Sequence, residues 1–113
     1  MKTNVVVNLQ VEGTHRWQGC HLREVIFLIN EHRHVFYITC KKTVAHNDRD
    51  IEIICLKRSI QKYLIETYSK NGVTCDFDTK SCEMLANELT EKFNLTYCSV
   101  LEDNENGAEV INY

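Results

Sequence analysis

The feature that most restricts how this chain can fold is a run near its N-terminus in which apolar and polar residues alternate one by one. Val5, Val7, Leu9 and Val11 fall on one side of an extended chain, and Asn8, Gln10 and Glu12 on the other. Successive side chains of a strand point to opposite faces, so a period of two specifies a half-buried β-strand. The inward, odd-numbered face continues through Gly13 to His15. A second β-rich stretch, His32 to Val44, sets Phe36, Ile38, Cys40 and Val44 on one side and Lys41 and Thr43 on the other. His32 and His34 share the parity of Phe36 and Ile38, so both imidazoles point the same way.

After a turn at Asn47-Asp48-Arg49-Asp50, whose carboxylates suit a helix N-terminus, the period changes. Ile53, Leu56, Ile60, Tyr63 and Leu64 recur at spacings of three and four, which predicts an amphipathic helix ending near Tyr68. Lys70-Asn71-Gly72 breaks it. A second helix is expected after Asp78 or Thr79, loosely capped by Ser81, with Cys82, Leu85, Ala86, Leu89 and Phe93 as its apolar stripe. Leu95 to Glu102 reads as a third strand with Cys98, Val100 and Glu102 on one face. Asp103-Asn104-Glu105-Asn106-Gly107 carries hairpin-turn residues, and Ala108 to Tyr113 completes a final strand. The resulting order, ββααββ, predicts an α+β fold: an antiparallel sheet with two helices on one face.

A chain of 113 residues has room for one core, so residues 1–113 are read as a single domain. A net charge of −3 gives no electrostatic footprint for nucleic acid or for an anionic membrane. Lys57, Arg58 and Lys62 cluster, but as the solvated face of a helix. No run of about 18 apolar residues predicts a membrane span. Met1-Lys2-Thr3-Asn4 leads straight into the strand pattern without the shape of a signal peptide. The six cysteines include no CxxC pair, and three of them fall on apolar faces. They are read as reduced thiols of a cytoplasmic protein.

His32-Arg33-His34 is the sharpest local signal. Residues i and i+2 of a strand lie roughly 6.5 to 7 Å apart on one face. Two imidazoles so placed converge on one metal ion if a third ligand comes from the neighbouring strand, and His15 stands at the inward end of that strand. Zn²⁺ accepts three neutral histidines and keeps a position open for water or substrate. Glu102 ends the inward face of the third strand. It reads either as an idle exposed carboxylate or as the anchor of a polar pocket, accepting charge-assisted hydrogen bonds from an amidine-like ligand edge. His21 and His46 fall outside these patterns and read as surface residues.

Together these blocks resemble the 6-pyruvoyl-tetrahydropterin synthase family, including its 6-carboxytetrahydropterin synthase branch. Gly13-Thr14-His15-Arg16-Trp17 is similar to the family's first zinc-histidine block, and His32-Arg33-His34-Val35-Phe36 to its second. Asp50 through Leu64 resembles its first helix, Ser81-Cys82-Glu83-Met84-Leu85-Ala86 the start of its second, and Ser99-Val100-Leu101-Glu102 with Ala108 its glutamate strand. The resemblance implies the tunnelling fold and Zn²⁺ on His15, His32 and His34. It also implies Glu102 as the residue that grips a pterin's pyrimidine edge, and assembly into oligomeric barrels, a trimer or hexamer. Three departures accompany it. No cysteine stands four or six residues before His32, where Leu28 and Ile26 are found, and the nearest upstream is Cys20. The stretch from Thr67 to Thr79 lacks the histidine of the family's catalytic Asp-His pair. Arg33 replaces the glycine between the zinc histidines.

Two readings of function follow. In one, the chain is a zinc-dependent lyase on a pterin or purine-derived substrate, in which the metal polarises a hydroxyl or carbonyl. Such chemistry needs a base, and Glu24 and Cys20 are the nearest candidates, with Glu31 and His21 behind them. In the other, the same pocket captures a pterin, purine or nucleotide without turnover, which the missing cysteine and Asp-His pair favour. A purely structural metal is the least suited to three histidines, because structural zinc sites are closed by four protein ligands.

Overall fold

The structure is a computed structural model, and it describes residues 1–112. Two long strands, β1 (Thr3–His15) and β2 (His32–Val44), pair antiparallel along their whole length, with Thr3 opposite Val44 and His15 opposite His32. Helix α1 spans Ile53–Tyr68, the short strand β3 Cys75–Asp76, and helix α2 Cys82–Phe93. Strands β4 (Tyr97–Glu102) and β5 (Asn106–Ile111) form a hairpin that extends the sheet from β2, giving the order β3-β1-β2-β4-β5.

The fold is therefore mixed α+β, but it departs from the four-stranded ββααββ expectation in two places. Cys75–Asp76 adds a fifth strand, parallel to β1 at Gly13 and Thr14, which two residues are too few to announce by periodicity. A 3₁₀ segment, Arg23–Ile29, also lies between β1 and β2. Its run of Val25, Ile26, Phe27, Leu28 and Ile29 has no polar face to signal a helix, and none of its residues is buried. The final strand stops at Ile111, and the expected end at Tyr113 lies outside the described residues.

One apolar cluster joins the inward faces of the sheet to both helices. Val7, Leu9, Val11, Phe36, Ile38, Cys40, Cys98 and Val100 meet Leu56, Ile60 and Leu64 of α1 and Leu85, Ala86 and Leu89 of α2. Burying a side chain of this size stabilises by about 1.5–3 kcal/mol, so the parity of β1 and β2 is strongly enforced: a one-residue slip would expose the whole set. Ile53, expected on the buried stripe of α1, is half exposed in the first turn. The capping carboxylate of α1 is Glu52, which accepts from the amides of Ile54 and Cys55 at 3.0 Å, while Asp50 accepts from Ala45 N–H instead. Ser81 caps α2 by accepting from Met84 N–H at 3.1 Å. All six cysteines are free thiols; Cys55 is exposed and the other five are buried. Among the described residues no helix is long and apolar enough to cross a membrane.

Gly13 is required where it stands. A Cβ there would lie 2.6 Å from the buried ring of Phe77 and 3.2 Å from the Cys75 carbonyl. Its absence lets the segment from Cys75 onward pack directly against the end of β1. Phe77 N–H then donates to Thr14 O and Arg16 N–H to Asp78 O, both at 2.8 Å. That packing brings the residues just before α2 alongside His15.

Candidate metal centre

The β1/β2 register places His15 directly opposite His32, and His34 opposite Gly13. The inward parity of both strands then gathers the three rings, with centroids 4.6 Å (His15–His32), 5.1 Å (His32–His34) and 5.5 Å (His15–His34) apart. Glu102 enters from β4, which pairs it with Phe36. One ligating atom from each of His15, His32, His34 and Glu102 lies within 4.8 Å of every other, so the four could hold a metal ion.

Each imidazole is oriented through its Nδ1. His15 Nδ1–H donates to the Lys80 carbonyl at 2.9 Å and His32 Nδ1–H to the Asn30 carbonyl at 2.9 Å. His34 Nδ1 lies 2.7 Å from Asp103 Oδ2. A hydrogen bond on one ring nitrogen selects the tautomer that leaves the other free to ligate, and this is the usual outer arrangement of metal-binding histidines. The supports come from three separate segments. Asp103 is held by the tight turn between β4 and β5, in which it and Asn104 have φ of 54° and 59° and Glu105 N–H donates to Glu102 O at 2.9 Å. Its Oδ1 also accepts from Val35 N–H at 3.0 Å.

Charge and burial agree with a cation at the centre. His15 Nε2 is buried and makes no hydrogen bond; its nearest carboxylate oxygen, Glu102 Oε2, is 3.6 Å away, an ion-pair separation. Burial opposes the charged form of His15, yet the facing Glu102 carboxylate and the Lys80 carbonyl outweigh it and raise its pKa. His15 in turn holds the Glu102 carboxyl below the usual carboxylate range, against partial burial. His34 Nε2 and Glu102 Oε2 are 2.8 Å apart, two acceptors unless a proton or metal ion stands between them. Three imidazoles and one carboxylate are a donor set that could hold a divalent metal ion.

A cavity of about 500 Å³ opens onto the cluster, lined by His15, Trp17, His32, Cys82 and Glu102 among others, within the size range of small-molecule sites. Cys20 and Glu24 are not among its lining residues. Cys20 is buried and donates to the carbonyls of Leu22 and Val25 at 3.9 and 3.6 Å, and Glu24 is exposed in the 3₁₀ segment. Glu31 lines a smaller cavity with His15, Arg16, Asp76 and Asp78. His21 and His46 are exposed. The structure adds Cys82, read from the sequence only as part of an apolar stripe. Its thiol is 3.8 Å from Glu102 Oε1, and burial, then the Glu102 charge, push its pKa up to about 12. Asp103, Lys80 and Asn30 are further additions; two of them act through backbone carbonyls, which leave no side-chain signature. No protein-family model matches the chain, and no curated protein matches it.

Proposed function

We propose that this chain is a zinc-binding protein of the tunnelling fold, related to the 6-pyruvoyl-tetrahydropterin and 6-carboxytetrahydropterin synthases, that takes up a pterin or related purine-derived ligand beside its metal. The observation that carries the reading is the set of three Nδ1-anchored histidines whose Nε2 atoms meet Glu102 at the mouth of a ligand-sized cavity. Bound zinc supplies Lewis acidity toward a ligand hydroxyl or carbonyl. The protein's own residues do the rest: Asn30, Lys80 and Asp103 orient the rings, and Glu102 offers a carboxylate to ligand N–H groups. Trp17 contributes an apolar wall.

Capture without turnover is the reading the positions of Cys20 and Glu24 favour, since neither reaches the cavity. Lyase activity is the second reading, and Cys82 favours it as a thiol that lines the cavity together with Glu102, 3.8 Å from its Oε1. Titration of the zinc-loaded protein with a 6-substituted pterin, followed by chromatography of the mixture, separates them. We expect micromolar binding and recovery of the pterin unchanged. Side-chain cleavage would select the lyase reading, and no binding of either pterins or guanine nucleotides would overturn both.

Assembly belongs to the same proposal. β3 covers β1 only at Gly13 and Thr14, so the outer edge of β1 from Thr3 to Glu12 has no neighbouring strand among the described residues. Unpaired edges recruit other strands, and a trimer or hexamer closed through them is expected from light scattering. A monomer at micromolar concentration would remove this part of the proposal.

A further inference from the structure

The metal reading leaves a second polar cluster without a role. Glu88, on α2, accepts from the hydroxyls of Tyr63 and Tyr68 on α1, each at 2.7 Å to Oε2, and from Lys80 Nζ. Lys80 Nζ also lies 5.6 Å from the centroid of the Tyr68 ring. Lys80 belongs to both sites, because its backbone carbonyl takes the Nδ1–H of His15.

We propose that Lys80 and Glu88 are positioning residues for His15: the side-chain clamp fixes the Lys80 carbonyl, and the carbonyl fixes the ring that turns Nε2 toward His32, His34 and Glu102. This rests on the metal-centre reading for its purpose, though not for its geometry. The backbone bonds that stitch this segment to β1 run from Phe77 to Thr14 and from Arg16 to Asp78, and so stop two residues short of Lys80. The first amide-to-carbonyl bond of α2 joins Leu85 to Ser81, which leaves the Lys80 carbonyl outside the helix ladder and available to His15. Between these two anchored stretches the remaining hold on Lys80 is its N–H bond to Phe77 O, at 3.0 Å, and the clamp on its side chain. Stability alone accounts poorly for that clamp. The Lys80 side chain is 40% exposed, and ion pairs so open to water contribute little. Convergence of three donors on Glu88 does satisfy a carboxylate that is itself only 20% exposed, giving the clamp a rigid base.

The test uses two readouts on the full chain. Long-range ¹⁵N–¹H correlation spectra of the metal-free protein report the His15 tautomer, and Co²⁺ titration reports affinity and ligand-field absorption. Wild type should show His15 with the proton on Nδ1. Lys80→Met, which keeps the carbonyl, should give mixed tautomers and bind Co²⁺ about tenfold more weakly, the low end for groups outside the ligand shell. Glu88→Gln should move both readouts in the same direction, and it carries the test alone if Lys80→Met does not fold. Lys80→Arg, which can still reach Glu88, should restore both. Wild-type tautomer and Co²⁺ affinity in folded Lys80→Met and Glu88→Gln would overturn the proposal. Failure of wild type to bind Co²⁺ would overturn the metal reading instead, while the tautomer spectra would still decide the clamp.

Discussion

Purified protein grown with adequate metal carries close to one zinc per chain, and His32→Ala or His34→Ala retains none after dialysis; that is the expected result of elemental analysis. On the proposed division of labour the three imidazoles hold the ion and Glu102 serves the ligand, so removing one imidazole leaves two protein nitrogens, too few for tight binding at a catalytic-type centre. Both substitutions should leave a folded chain. His32 and His34 lie only partly buried at the end of β2, and the core that holds β2 begins at Phe36. The same experiment has a pH arm with a definite sign. Metal must displace the proton from His15, whose pKa is raised, so zinc affinity should climb as pH rises through and beyond the ordinary histidine range, and fall below it. Metal-free, folded wild type under metal-replete conditions would end the zinc reading.

Glu102→Gln should weaken binding of a pterin or guanine-like ligand by about tenfold to a hundredfold while zinc stays near one per chain. The substitution keeps size and one carbonyl acceptor but removes the charge. A ligand donor left unpaired costs roughly 1–3 kcal/mol, which is about one to two decades in affinity. Glu102 is 29% exposed at the side chain, so this magnitude belongs to a partly shielded site and will be smaller at high salt. Because Glu102 also lies among the possible metal ligands, zinc content and ligand affinity must be read on the same preparation by titration calorimetry. Equal ligand affinity in the two proteins would show that another group anchors the ligand.

The long strands and both helices were legible in the sequence because each carries an amphipathic period matched to one face of a single core. The convergence of His15, His32 and His34 was legible for the same reason: all three extend an apolar parity that burial enforces. Glu102 could be placed on the inward face by parity with Cys98 and Val100, but its nearness to His34 depends on the pairing of Glu102 with Phe36, and register between distant strands is not written in either one. Asp103 was not legible as a partner of His34. It follows Glu102, so strand parity sends it to the opposite face, and only its left-handed backbone returns the carboxylate to β2. The β3 pairing rests on two residues and a glycine chosen for what it lacks. Cys20 and Glu24 were near His32 along the chain, yet the loop turns Cys20 toward its own carbonyls and Glu24 toward water.

The three carbonyl and carboxylate supports behind the histidines have a kinetic meaning. Asn30, Lys80 and Asp103 orient the rings through the protein's own hydrogen bonds, so on the proposed metal reading much of the entropy of arranging the ligands is lost during folding and not at the moment of capture. Small modules that bind metal while still unfolded must assemble their ligands around it, and they collapse when a chelator removes it. Here the seat is preorganised. On that reading uptake would require little more than shedding water from the ion and protons from the rings, and an ion that left could be replaced without the chain having to fold a second time.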